Sequence, residues 1–321
     1  MIRYIAVRLI NLIPLLLGIT LVSFIVIHLS PGDFLAEMRL NPVVSSETIE
    51  SMRRNFGLDQ PMYIQYLKWL RAILRLDFGY SFAYHVPVTW LIGSRLVNTL
   101  ILNVAALLIT WTVAIPIGIY AATRQYSTGD TALSMAAYLG ISTPTFFSGL
   151  LLLLFAFKTR LLPIGGMTSL DYEFFPWYGK MLDVGHHLVI PAVVLGFLGS
   201  AGLMRQMRGN LLEILRQDYI RTARAKGLAE RPVIYKHAVR NAINPLITIF
   251  GFEIGGLLSG AAIIEIVTGW PGVGRLIFEA ITQKDLYVVM GSLLIGSVTL
   301  VLGNLIADIL LAVVDPRIRY D

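Results

Sequence analysis

Residues 204–245 read MRQMRGNLLEILRQDYIRTARAKGLAERPVIYKHAVRNAINP, a polar and basic stretch with a long apolar segment on each side. The stretch holds nine lysine and arginine residues against three acidic residues, an excess of six positive charges. The formal net charge of the whole chain is also +6, so the remainder of the chain is nearly neutral. Positive charge concentrated between apolar segments is typical of a cytoplasmic loop of a membrane protein.

The composition also indicates a membrane protein. Of the 321 residues, 56% are hydrophobic and 14% are charged, and the mean hydropathy is +0.70. One soluble core could not bury this much apolar surface. Nucleic-acid binding is not expected, because the positive charge follows membrane topology and no aromatic-interleaved basic groove accompanies it. The sequence has no cysteine, which excludes disulfides, thiolate nucleophiles and iron–sulfur clusters.

Working outward from the basic stretch, the hydropathy pattern predicts an all-α polytopic membrane protein with six transmembrane helices. The six apolar windows are 9–29, 100–122, 132–157, 187–203, 243–267 and 288–314. Most are close to the ~20 residues that a span needs, and the first lacks the cleavage site of a secretory signal. With the N terminus in the cytoplasm, alternate crossings place both 204–245 and the C terminus in the cytoplasm, as the charge bias requires.

This topology divides the chain into three parts. Residues 1–98 hold the first transmembrane helix and a long extracytoplasmic segment, 99–315 form a five-helix core that contains 204–245, and 316–321 form a cytoplasmic tail. In the extracytoplasmic segment, Pro61 is predicted to open an amphipathic helix. Its apolar stripe is Tyr63, Leu67, Leu70 and Leu74. This helix lies either on the outer membrane surface, with Trp69 at headgroup level, or on a small extramembrane subdomain.

Polar side chains inside the apolar windows mark candidate functional positions, because a charge at the bilayer centre costs about 3 kcal/mol. Glu253 is the deepest, and it either lines a pathway or is protonated and hydrogen-bonded inside the bundle. Glu265 lies nearer the outer face, where a capping or loop-anchoring role is expected. Asn304 and Asp308 are four residues apart on one helical face, which favours an interhelical hydrogen-bond site over a pair of catalytic acids.

The basic stretch itself has helical periodicity. Apolar positions recur every four residues at Leu211, Leu215, Tyr219 and Ala223, and the series ends at Gly227. Glycine is the residue expected just beyond a helix C terminus, and Pro232 can open a second helix. Two short helices joined by a glycine turn would form a compact knob on the cytoplasmic face. The alternative is a solvated loop that serves topology alone.

The knob resembles a motif of a known family. The segment from Asp218 to Gly227, followed by His237 to Pro245, is similar to the cytoplasmic "EAA" coupling motif of inner-membrane permease subunits of ATP-binding-cassette (ABC) importers for dipeptides and oligopeptides, of the B type. Arg221-Thr222-Ala223 stands at the Glu-Ala-Ala position. The resemblance implies that ATPase coupling falls on Asp218, Tyr219, Arg221, Thr222, Ala223, Arg224, Ala225, Lys226 and Gly227.

Similarity to this family extends along the chain, for example at 8–14, 28–33, 270–275 and 315–319. It implies a type I ABC importer permease fold in a bacterial inner membrane. It also implies a homologous second permease subunit, two cytoplasmic ATPase subunits and an extracytoplasmic substrate-binding protein. ATP and Mg would then bind to the ATPases, and this chain would hold no cofactor, no metal and no catalytic residue. Consistently, the sequence has no phosphate-binding G-x-x-x-x-G-K-[ST] loop.

Other functions stay open at this level. The same permease type imports nickel, glutathione, opines and other small cargo. A membrane enzyme that uses Glu253 and Asp308 as an acid–base pair is a second class, although no nucleophile or metal motif supports it. A passive channel is a third, and it predicts cargo flux without ATP.

Overall fold

A computed structural model describes residues 2–29, 45–55, 57, 59–257 and 261–314. Within these ranges the chain forms helices and no β-sheet, with an isolated bridge between Tyr80 and Pro87. The all-α prediction is therefore confirmed for the described part of the chain. Met1 and the tail 316–321 lie outside the described residues, so the location of the two termini stays a prediction.

Thirteen helical segments of the described ranges position the candidate site. In the first half of the chain they are α1 (Ile2–Leu29), α2 (Ser46–Asn55), α3 (Met62–Ile73), α4 (Val88–Thr123), α5 (Thr128–Ser142) and α6 (Thr145–Thr159). In the second half they are α7 (Trp177–Leu215), α8 (Asp218–Ala225), α9 (230–242), α10 (Asn244–Gly256), α11 (Ala262–Thr268), α12 (Val273–Thr282) and α13 (Leu286–Val314). In α9 the central residues, Val233–Val239, are π-helical.

Three of these helices are long and apolar enough to cross a membrane: α4, α7 and the Leu286–Leu305 part of α13. A fourth crossing results if α5 and α6, which meet at 105°, form one broken span. Shorter apolar stretches occupy Ile10–Val26 and Asn244–Ile254. The described residues thus support a multi-pass membrane protein with three or four candidate spans, and the count of six stays a prediction.

Two predicted windows are not single helices, which corrects the expectation of one continuous helix per window. Window 132–157 is divided between Ser142 and Thr145, because proline at 144 has no N–H to donate and disfavours helical geometry in the residue before it. Window 243–267 holds α10 and α11, and residues 258–260 between them lie outside the described residues.

The two longest helices, α4 and α7, lie side by side and run in the same direction. A Cβ on Gly196 would lie 2.7 Å from the Ile109 side chain, and one on Gly118 would lie 2.7 Å from Cβ of Met207. Glycine at these positions therefore lets the two backbones approach closely. With 36 and 39 residues, the helices are about 54 and 58 Å long, which exceeds the ~30 Å of the hydrocarbon core. Both must project beyond the membrane.

The bundle has two polar ends. We call the end that carries Arg124 and residues 204–245 the basic end, and the end that carries 79–98 and 265–287 the opposite end. Helix α1 runs antiparallel to α13, since Phe24 near the end of α1 packs in one cluster with Met290 near the start of α13.

Helix α3 packs against this pair of helices at the opposite end. Trp69 is 4% exposed and clusters with Phe24 and Met290, whereas Tyr63 and Leu67 of the predicted stripe are exposed. Trp69 therefore packs inside the bundle, and its depth relative to the membrane surface stays a prediction. The helix is packed, as in the second alternative, but it lies against α1 and α13, and its buried face is centred on Trp69 and not on the predicted stripe.

A buried carboxylate holds the opposite end together. Glu265 is fully buried; it accepts hydrogen bonds from Oγ1 of Thr99 (2.8 Å) and from the backbone N–H of Arg275 (3.0 Å). Thr99 Oγ1 in turn accepts from the N–H of Val273 (2.8 Å). The two side chains thus satisfy free N–H groups in the first turn of α12. The expected capping and anchoring role of Glu265 is confirmed.

The glycine at position 272 makes room for this carboxylate. A Cβ there would lie 2.2 Å from the carboxyl group of Glu265, closer than nonbonded atoms can approach. Further along α12, Glu279 accepts hydrogen bonds from the Tyr84 hydroxyl (2.6 Å) and from Nε of Arg275 (2.7 Å). Burial by itself would raise the pKa of Glu279, but these hydrogen bonds and the nearby positive charge lower it. Glu279 therefore stays ionised opposite Arg275.

Candidate coupling site

The structure divides the basic stretch differently from the predicted four-residue periodicity. Helix α7 continues to Leu215, Gln217 has extended backbone angles (φ −69°, ψ 148°), and α8 then begins at Asp218. Leu211 and Leu215 therefore belong to the long helix, and Tyr219 and Ala223 belong to the short one. The prediction of one helix carrying all four residues is wrong, because the break at 216–217 resets the helical phase.

One residue that the periodicity did not select connects α8 to the bundle. Ile220 is fully buried, whereas Tyr219 of the predicted stripe is 44% exposed. The Ile220 side chain packs in the largest apolar cluster of the described residues, together with Leu211, Val233 and Ala238. In the π-helical part of α9 the i to i+5 hydrogen-bond pattern allows Val233 and Ala238, five residues apart, to face α8 together. Burial of Ile220 thus fixes which side of α8 faces outward.

The opposite face of α8 is open. Of the nine residues to which the resemblance assigns coupling, Ala223 is half-buried, and the other eight are exposed. The exposed eight are Asp218, Tyr219, Arg221, Thr222, Arg224, Ala225, Lys226 and Gly227. The structure therefore brings the predicted residues together on one surface helix and the turn that ends it, and we call these nine residues the coupling surface.

Gly227 ends α8 as predicted. Its φ is +76°, in the left-handed region that glycine adopts without strain. The N–H of Gly227 donates to the carbonyl oxygen of Arg224 (2.9 Å), and the N–H of Leu228 donates to that of Ala223 (3.4 Å). A Cβ at this position would meet no atom within 4 Å. Backbone conformation, rather than space, therefore makes glycine the favoured residue.

Two polar contacts brace α8 against α9, and neither was predicted. Nε and Nη2 of Arg224 donate to the two carboxylate oxygens of Glu230 at 3.1 and 2.6 Å. The amide of Asn241 donates to the Tyr219 hydroxyl at 3.0 Å. The hydrogen bonds from Arg224 lower the pKa of Glu230, so this carboxylate stays ionised and the bidentate pair persists at neutral pH. Arg224 is thus exposed and also holds α8 against α9.

The residues predicted to lie along a pathway are separate from the coupling surface. Glu253 on α10 is half-buried and accepts a hydrogen bond from Nε1 of Trp111 on α4. The Trp111 ring also meets Phe250 edge to face, with centroids 4.9 Å apart. Asn304 on α13 is half-buried, and the side chain of Asp308 lies outside the described residues. The predicted contact site of Asn304 and Asp308 therefore stays a prediction.

The chain matches known proteins along its whole length. Residues 114–320 match the family described as "Binding-protein-dependent transport system inner membrane component", and residues 1–103 match the N-terminal part of such membrane components. The chain belongs to this family. The coupling surface and α7 lie within the first of these matches, and α4 extends from the second match into the first.

Individual relatives cover the same length. The chain is 42% identical over 322 residues to the oligopeptide transport system permease protein AppB of Bacillus subtilis strain 168, with all of both chains covered. It is 36% identical over 337 residues to the dipeptide transport system permease protein DppB of Escherichia coli strain K12, with 100% of this chain and 99% of the relative covered. It is 34% identical over 320 residues to the glutathione transport system permease protein GsiC of Salmonella paratyphi A, with all of both chains covered. The resemblance to permeases of the peptide branch is therefore confirmed.

Proposed function

We propose that this chain is a permease subunit of an ATP-driven bacterial importer for dipeptides or oligopeptides. The observation that carries the proposal is similarity over the full length to permeases whose names specify oligopeptides and dipeptides. The chain would form half of an alternating-access pathway with a homologous second permease. A substrate-binding protein would deliver the peptide on the extracytoplasmic side. The relative named for glutathione, itself a small peptide, keeps glutathione or another small cargo as a second candidate.

The proposed topology places the basic end in the cytoplasm. Charge supports this orientation, because the excess of six positive charges lies within 204–245. Six crossings with both termini in the cytoplasm would follow if α1 and the α10–α11 pair cross as well. The opposite end, held by Glu265 and Arg275, would then face the binding protein.

The proposed partners at the basic end are two ATPase subunits that bind ATP and Mg, with no cofactor in this chain. The coupling surface supports this proposal because it is exposed on one side and anchored on the other. Ile220 is buried in the core, and Arg224 pairs with Glu230 of α9. A helix held in this way moves as a rigid body with α7 and α9, so displacement by an ATPase would reach the membrane helices instead of bending a loop.

Reconstitution of the complete complex in vesicles tests the proposed function. With ATP and the cognate binding protein, we expect uptake of labelled dipeptides and stimulation of ATP hydrolysis. Omission of ATP should abolish uptake. Flux that persists without ATP would indicate a passive channel. Selective uptake of glutathione or of nickel would replace the peptide assignment while leaving the transport machinery in place.

Glu253 is proposed to line the pathway. It is a half-buried carboxylate in an apolar helix with one described hydrogen bond, to Trp111, and intramembrane acids usually face a partner, water or cargo. Glu253→Gln keeps the shape of the side chain and can still accept from the indole N–H. We expect this substitution to change the uptake rate of the reconstituted complex more than its thermal stability. Unchanged uptake would instead assign Glu253 to helix packing.

A further inference from the structure

A buried ion pair at the basic end joins α7, which the chain connects directly to α8, to α5, which has no such connection. Nε and Nη2 of Arg208 on α7 donate to the two carboxylate oxygens of Asp130 on α5, both at 2.9 Å. The Asp130 side chain is 4% exposed and that of Arg208 is 26% exposed. The bidentate geometry fixes the relative orientation of the two helices as well as their separation.

The Asp130 carboxylate also organises the turn between α4 and α5. It accepts hydrogen bonds from the N–H of Tyr126 (3.0 Å) and from the hydroxyl of Ser134 (3.3 Å). Tyr126 has a φ of +65°, a conformation that is unfavourable for a side-chain-bearing residue and that this hydrogen bond helps to hold. Ser127 caps α5 by accepting from the N–H of Asp130 (3.1 Å). One carboxylate thus joins α7, the turn and α5.

The contacts around the ion pair indicate that its role is to position α5 against α7 rather than to add stability. A buried ion pair adds little net stability, since apolar residues of similar volume often replace it without loss. The two helices also share apolar contacts, for example Ala137 and Ala201 in one cluster, and the guanidinium of Arg205 on α7 lies over the ring of Tyr138 on α5, 5.7 Å from its centroid. Apolar surfaces allow small sliding movements between packed helices, whereas a bidentate pair resists them. The pair therefore sets the register between α5 and α7.

The position of Arg208 relates this register to the coupling surface. Arg208 lies seven residues before Leu215, where α7 ends, and α8 begins at Asp218. Residues 208–215 form about two turns of one continuous helix, about 10 Å long, so movement of α8 carries Arg208 with it. The chain connects α8 directly to α7 and, through α9, to α10. Helices α5 and α6 have no such direct connection and must follow through contacts.

We propose that the Arg208–Asp130 pair is a positioning contact that carries movement of the coupling surface to the bent helix pair α5–α6. The inference rests on the proposed function, since it assumes that an ATPase drives the coupling surface. It assigns to Arg208 and Asp130 a role in transmission that the coupling motif does not include. When α8 moves, the pair pulls the start of α5, and the 105° bend at Pro144 is the point at which α5 can turn relative to α6.

The test measures cargo imported per ATP hydrolysed by the complete reconstituted complex, together with assembly of the complex by size-exclusion chromatography. Asp130→Asn and Arg208→Met remove the ion pair, and Arg208→Lys keeps the charge without the bidentate geometry. We expect both neutral variants to assemble and to import about tenfold less cargo per ATP. Arg208→Lys should lie between them and wild type. Asp171→Asn, the same change at an exposed acid of the opposite end, is the matched control and should behave as wild type.

The outcomes separate this inference from the proposed function. A wild-type ratio in assembled Asp130→Asn would overturn the positioning role. The role would also be overturned if neither neutral variant assembles and Arg208→Lys assembles and imports as much cargo per ATP as wild type. The pair would then have a structural role only. A lowered ratio in assembled Arg208→Lys would support the role even if neither neutral variant assembles. A wild-type complex without ATP-dependent uptake would instead overturn the proposed function.

Discussion

Replacement of Ile220 by aspartate is expected to abolish stimulation of ATP hydrolysis by the binding protein in the reconstituted complex. Ile220 is fully buried between α7 and α9, and an unpaired carboxylate there would lack any compensating charge. The substitution should detach α8 from α7 and α9, because it makes the free energy of packing of α8 less favourable by about 3 kcal/mol or more. Insertion into the membrane should persist, because Ile220 lies outside the candidate spans.

The measurement is ATPase activity with and without binding protein, at matched amounts of assembled complex. Ile220→Val is the control; removal of one methylene group from the same site should cost only about 1 kcal/mol and leave stimulation near wild type. Normal stimulation in Ile220→Asp would contradict the role of α8 as a rigid coupling element. Failure of Ile220→Asp to insert into the membrane would show that the knob is needed for folding of the bundle.

Replacement of Glu265 by alanine is expected to destabilise the opposite end strongly. The substitution leaves the N–H of Arg275 and the hydroxyl of Thr99 without their shared acceptor, and it creates a cavity beside Gly272. Each unsatisfied buried group costs about 1 to 3 kcal/mol, so the expected total is about 3 kcal/mol or more. Thermal unfolding of the purified chain in detergent measures the loss.

Glu265→Gln is the matched control for this substitution. The amide oxygen can accept from the N–H of Arg275, and the amide NH2 can donate to Oγ1 of Thr99, which has a second lone pair for this purpose. We therefore expect most of the stability to return with glutamine, because the shape and the hydrogen bond from Arg275 are kept and the hydrogen bond with Thr99 is reversed in direction. A melting temperature of Glu265→Ala equal to that of wild type would show that the carboxylate is not the anchor of α12.

At both ends of the molecule the sequence predicted local features but not the contacts between distant residues. At the opposite end, the position of Glu265 near the end of an apolar window was enough to predict an anchoring acid. Its partners, Thr99 and Arg275, are far apart in the chain, and no local pattern relates them. At the basic end, the exposure of the coupling surface and the left-handed Gly227 agree with prediction, because surface charge and glycine at a helix terminus are local signals.

Ile220, which anchors α8, shows why the packing of the basic end could not be predicted from the sequence. The four-residue repeat through 211–223 includes Tyr219 and passes over Ile220, yet Ile220 is the buried residue of α8. Periodicity predicts a buried side only while the helix is continuous, and the break at 216–217 rotates α8 relative to α7. Which side of a short helix then faces the core depends on the direction that the chain takes after the break. Packing against Val233 and Ala238 of α9 decides that direction.

For charged residues, the sequence likewise showed a local property, the charge of the segment, but not which side chains pair. The sequence identified nine basic residues in 204–245 and explained them by topology, but it did not show that Arg208 pairs with Asp130 or that Arg224 pairs with Glu230. Charge count determines on which side of a membrane a segment lies, because that bias acts on the segment as a whole. Pairing requires two side chains to meet within hydrogen-bond distance, and the parallel packing of α4 and α7 brings the start of α5 to Arg208.

By itself, the sequence determined that this is an all-α membrane protein with an exposed, basic coupling surface ended by Gly227, because hydropathy, charge and glycine conformation act over one turn or one span. Only the tertiary structure decided that Ile220 anchors that surface, that Glu265 joins α4 to α12 and that Arg208 holds Asp130. These contacts form only after separate helices have packed; Arg208 and Asp130 are 78 positions apart, and Thr99 and Glu265 are 166 positions apart. Long-range packing, which no periodic pattern specifies, therefore connects the coupling surface to the membrane helices.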